Sequence, residues 1–97
     1  MKAFTVVTTP LFDRLFAKLS PDHPELAGML ATAIAILKQD PYNIRRGHPI
    51  RKLRDVKPGD GQFRLRITRW RFRYDIWDKR QEVRLGYCDL RREDTYR

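Results

Sequence analysis

In three stretches between Gln62 and Cys88, apolar residues recur at every second position, a period that a strand satisfies and a helix does not. Phe63, Leu65 and Ile67 alternate with Arg64 and Arg66 across Gln62–Thr68. Phe72, Tyr74 and Ile76 alternate with Arg71, Arg73, Asp75 and Trp77 across Arg71–Trp77. Val83, Leu85 and Tyr87 alternate with Arg84, Gly86 and Cys88 across Glu82–Cys88. Arg69-Trp70 and Asp78-Lys79-Arg80-Gln81 read as short connections, so these strands form an antiparallel meander. Ile50–Val56 is a further candidate strand with imperfect alternation, separated from the rest by the turn cluster Pro58-Gly59-Asp60-Gly61.

Upstream the period changes. Ala3–Thr8 is rich in β-branched residues and predicts a short strand in the same sheet. Thr9-Pro10 has the form of a helix N-cap followed by proline at the first helical position. Phe12, Leu15, Phe16 and Leu19 then line one helical face. After Ser20-Pro21, the stretch Asp22-His23-Pro24-Glu25 restarts a helix whose stripe is Leu26, Leu30, Ala33, Ile34 and Leu37. Asp40-Pro41 stops it. The expected architecture is one α+β domain over residues 1–97: a mostly antiparallel sheet of four to five strands, with an N-terminal helical hairpin packed on one face.

The charge is lopsided. The chain carries 21 Lys and Arg against 12 Asp and Glu, a net +9 over 97 residues. Residues 1–43 hold four of each sign, whereas residues 44–97 hold seventeen basic and eight acidic groups. The whole surplus therefore sits in the strand-rich half, mostly as arginine, and such a field seeks a polyanion, nucleic acid first. The one cysteine, Cys88, excludes an internal disulfide and a cysteine-rich zinc site. The longest apolar run is too short to span a bilayer, and no leader pattern opens the chain. A cytoplasmic location without membrane attachment is the expectation.

If the apolar sets pack beneath the helices, Arg64, Arg66, Arg71, Arg73 and Arg84 collect on the opposite face, close enough to repel one another. A phosphate lying across them relieves that repulsion, and guanidinium forks match its oxygens. Trp77, with Trp70 and Tyr96 as further candidates, could stack a base beside it. The competing reading is a solvated face partly paired with Asp75, Asp78 and Glu82. Among possible proton carriers, His48 in Arg46-Gly47-His48-Pro49 reads as a loop histidine, His23 as structural or exposed, and Cys88 as a small strand residue.

The order strand, helix, helix, four strands resembles the RelE/ParE toxin superfamily, most closely the RelE-type toxins of toxin–antitoxin pairs. The pieces that carry it are Phe63-Arg64-Leu65-Arg66, Arg71-Phe72-Arg73-Tyr74-Asp75-Ile76 and the ending Leu90-Arg91-Arg92-Glu93-Asp94-Thr95-Tyr96-Arg97. The resemblance implies an endoribonuclease that cleaves messenger RNA on the ribosome without a metal or other cofactor. It also implies a cognate antitoxin, with a toxin–antitoxin heterotetramer as one possible assembly. The family's catalytic positions fall on Arg64, Arg66, Arg71, Arg92 (Arg91 in the alternative register) and Tyr96. Arg73, Arg84, Arg91 and Trp77 then become RNA-binding candidates. Arginines stand where lysines are common, and arginine keeps its proton, so the proton carriers stay open. A ParE-like inhibitor of DNA gyrase and a non-catalytic nucleic-acid-binding module are the alternatives.

Overall fold

The structure, a computed structural model, describes residues 3–91. Five strands form one sheet: β1 (Thr5–Thr8), β2 (Ile50–Lys52), β3 (Phe63–Ile67), β4 (Trp70–Trp77) and β5 (Glu82–Leu90). Their order is β1-β5-β4-β3-β2, with β1 parallel to β5 and every other pair antiparallel. Two helices, α1 (Pro10–Leu19) and α2 (Leu26–Gln39), precede β2. The expected α+β architecture is the one observed.

Local chemistry sets the helix ends. The Thr9 hydroxyl accepts from the Phe12 amide at 3.2 Å, and Pro10 follows as the first helical residue. A single 3-10 turn, Ser20–Asp22, leads on toward α2, and Asp40 ends that helix ahead of Pro41 at φ −151°. Helix α1 packs mainly on β5, while α2 contacts β1 and β3. Phe12 from α1 and Leu26, Ala33 and Leu37 from α2 share one core with Phe63, Leu65, Trp70, Phe72, Tyr74, Val83, Leu85 and Cys88. Among the described residues, no helix is long and apolar enough to cross a membrane.

Three details depart from the sequence reading. Strand β2 ends at Lys52; the Leu53 amide makes one more bond, to the Gln62 carbonyl at 2.7 Å, before Asp55 turns the chain at φ 58°. The β3–β4 hairpin turns on Thr68-Arg69, so Trp70 is the first residue of β4 and lies in the core at 1% exposure. Its indole N–H donates to Glu25 Oε2 at 3.3 Å, and the His23 ring meets it edge-on at 5.2 Å. Trp70 is therefore a core residue and no base platform. The third departure lies in β5. Arg73 pairs with Tyr87, but Tyr74 pairs with Leu85, so Gly86 is an unpaired extra residue. Beyond this bulge the alternation inverts: Cys88 is fully buried and Tyr87 is exposed, the reverse of the predicted faces. Burial pushes the Cys88 thiol up to about 11, which makes it a poor nucleophile at neutral pH.

One buried hydrogen bond ties α2's end to the sheet. Tyr74 is fully buried and its hydroxyl donates to the Pro41 carbonyl at 2.7 Å; burial, then the Asp40 charge, raises its pKa well above the usual range. Tyr74→Phe leaves that carbonyl without its partner. The expected loss is about 1–2 kcal/mol, read as a lower midpoint in urea denaturation with an unchanged slope.

Candidate nucleic-acid interface

Antiparallel partners directly opposite one another share a face, so the register places each arginine. One row across the sheet reads Arg51, Arg64, Arg73, Tyr87, from β2 to β5. The next reads Arg66, Arg71, Asp89, and on the other side Asp75 stands opposite Arg84. The face opposite the helices thus carries arginines from all four antiparallel strands, as their alternation requires.

They differ in what holds them. Arg64 is half-buried and feels four neighbours at once. Burial first, then the fields of Arg51, Arg71, Arg66 and Arg91, lowers its pKa from the ordinary guanidinium value. Among the described residues, no carboxylate lies within ion-pair distance of Arg51, Arg64 or Arg66. Arg71 is gripped by Asp89 through both carboxylate oxygens, Nε to Oδ1 at 3.1 Å and Nη2 to Oδ2 at 2.7 Å. That fork fixes the guanidinium plane and leaves Nη1 outside the pair. Arg84 is paired with Glu82 and lies over the Trp77 ring at 5.3 Å. Trp77 and Arg84 also line a cavity of about 410 Å³ with Asp78, Lys79 and Arg80 at the end of this face.

Arg73 points elsewhere. Its Nε and Nη2 donate to the Gly61 carbonyl at 3.2 and 3.1 Å, and Nη2 also reaches the Asp60 carbonyl at 2.9 Å. Asp75 is 5% exposed and completes the clamp from the same strand, accepting from the Gly61 amide at 2.9 Å and the Gln62 amide at 3.0 Å. Gly61 sits at φ 80°, and a Cβ there would stand 3.0 Å from the Arg73 Cβ, so only glycine fits beneath the clamp. Arg73 and Asp75 therefore hold the loop that delivers Arg64. Of the three carboxylates named as possible partners of the face arginines, Asp75 is occupied by backbone amides, whereas Glu82 does pair with Arg84.

The structure brings Arg64, Arg66, Arg71 and Arg91 into one field and sets Arg84 and Trp77 together at the sheet's other end. Arg92 and Tyr96 lie outside the described residues. His48 lies away from the face, in a loop where its backbone pairs with the Asn43 side chain. It lines a cleft of about 630 Å³ with Phe4, Lys38, Tyr42 and Ile44. In the same loop the amides of Arg45 and Ile44 donate to the Asp40 carboxylate and hold it below the ordinary range, Arg45 more strongly. Two members of the face escape the sequence reading. Arg51 lies in a strand whose alternation was imperfect, although Ile50 on one side marks its phase. Tyr87 is displaced by the bulge, and the only signal for that is a glycine inside a strand pattern.

No known family model matches the chain, and no curated protein matches it. Among solved structures, it superposes on a chain of the RelBE2 toxin–antitoxin complex from Mycobacterium tuberculosis with a TM-score of 0.71. The two are 27% identical, and the match covers 92% of this chain and 99% of that one.

Proposed function

We propose that this chain, a RelE-type toxin by its fold and by the order of its motifs, is an endoribonuclease that cuts messenger RNA on the ribosome. The observation that carries the proposal is the convergence of Arg51, Arg64, Arg66, Arg71 and Arg91, with no carboxylate on Arg51, Arg64 or Arg66 among the described residues. Like charges opposite one another on a sheet cost stability, and that cost is retained here on one face. A polyanion turns it into binding energy.

The chemistry proposed is attack of a ribose 2′-oxygen on its adjacent phosphorus. A 2′,3′-cyclic phosphate forms as the bond to the 5′-oxygen breaks. The 2′-hydroxyl gives up a proton and the departing 5′-oxygen takes one. Such a reaction needs the strand held in line and the extra negative charge on the phosphoryl oxygens neutralised. Arg64, Arg66 and Arg71 supply the neutralising charge, Arg71 with its plane fixed by Asp89. Arg92 and Tyr96 are proposed from the resemblance to complete the site, and the reaction is proposed to run in the cytoplasm without a metal. The partner proposed is a cognate antitoxin that covers the basic face, since the similar chain was solved in a toxin–antitoxin complex.

A translation extract tests the reading. Adding the protein is expected to produce cuts in the message at fixed positions within codons, mapped by primer extension. Inhibited supercoiling with intact message would instead establish a gyrase inhibitor. Salt-sensitive RNA binding without cuts would establish a non-catalytic binding module.

A further inference from the structure

Tyr87 is an aromatic residue in an unexpected place. The residues that enter the core along β5 are Val83 and Leu85 before the bulge and Cys88 after it, all fully buried. The step from Leu85 to Cys88 is odd, so one residue must slip out of the ladder, and Gly86 does so. The slip is not forced by glycine's backbone: Gly86 does not have positive φ, and a Cβ there would meet only Thr9 Oγ1, at 4.0 Å. Its effect is to turn Tyr87 onto the arginine face with 38% exposure, directly opposite Arg73 and in the row that begins Arg51, Arg64. Its hydroxyl has no partner among the described residues. Bulges recur beside active sites because they re-aim one side chain.

A tyrosine ring standing in water at the end of a row of cations has the form of a single-strand nucleic-acid site, in which charge tracks the backbone and an aromatic face receives a base. Tyr87 stands two strand spacings from Arg64, roughly 10 Å, the reach from a held phosphate to a nearby base. On the reading that this face grips RNA phosphates, we infer that Tyr87 is a platform for a nucleobase of the bound single strand. The ring supplies stacking area and the arginines supply charge, so base and backbone are held by different residues.

The experiment compares two probes on the full chain by fluorescence anisotropy: a single-stranded RNA oligonucleotide and an abasic strand with the same number of phosphates. The wild-type protein is expected to favour the base-bearing strand. Tyr87→Ala should remove that preference, a loss on the order of 5- to 100-fold for one stacked base, while abasic binding and the melting temperature stay unchanged. Tyr87→Phe should keep the preference, because stacking does not need the hydroxyl. The inference is overturned if Tyr87→Ala keeps the preference, or weakens both probes equally. Arg64→Gln separates the underlying reading. It should weaken both probes, and if it weakens neither, the phosphate face itself is wrong and the platform falls with it.

Discussion

Replacing Arg64 and Arg66 together with glutamine is expected to abolish message cleavage while the protein melts at a higher temperature. Each guanidinium aimed at developing phosphoryl charge is worth about 10²–10³ in rate, by comparison with other preorganised donors. Glutamine keeps most of the stem and removes the charge. In the folded protein these two cations face Arg51 and Arg71 across neighbouring strands, and no carboxylate offsets either among the described residues. Relieving each like-charge pair returns about 0.2–1 kcal/mol, and in a domain of this size each kcal/mol moves the melting point by about 4–8 °C. Activity and stability should therefore move in opposite directions, as at sites that hold strain for function. Cleavage in a translation extract, read beside a thermal melt, checks both halves. A fall in both would mean that the two arginines are structural.

The largest loss of stability is expected from Asp75→Ala. The carboxylate is buried and accepts from the Gly61 and Gln62 amides. Removing it deletes two charge-assisted hydrogen bonds and leaves the buried Gly61 amide without a partner, which costs roughly 3–4 kcal/mol. Arg73 would then hold the loop by its carbonyls alone. Asp75→Asn retains one acceptor oxygen and should lose about half as much. Against a total stability of about 5–15 kcal/mol, the alanine variant should show a much lower urea midpoint. A change below about 1 kcal/mol would show that the clamp contributes little.

Much of this was legible because alternation is a strong signal when one face is buried. Phe63, Leu65, Phe72 and Tyr74 announced their strands, and the intervening arginines followed without further information. Thr9-Pro10 and Asp40-Pro41 marked helix ends through backbone chemistry that does not depend on the rest of the fold. The features that stayed hidden depend on tertiary context. Nothing local says that Asp75 serves a loop fourteen residues earlier, or that Arg73 leaves the cationic face to do the same. The inversion at Gly86 arises from a register that both Leu85 and Cys88 must satisfy, so Tyr87 and Cys88 changed places. Trp70 looked like part of a turn because a two-residue hairpin can be shifted by one position without altering composition. The pairing of Arg71 with Asp89 needed the β4–β5 register, which the bulge sets.

The salt dependence of RNA binding measures directly whether the open-face arginines grip phosphates. For a single strand, each neutralised phosphate contributes about −0.7 to the slope of log K against log salt. The Arg64→Gln, Arg66→Gln protein should bind single-stranded RNA with a slope shallower by about 1.4 than the wild type. An identical slope in the two proteins would show that these arginines do not touch the backbone, and would contradict the assignment of this face.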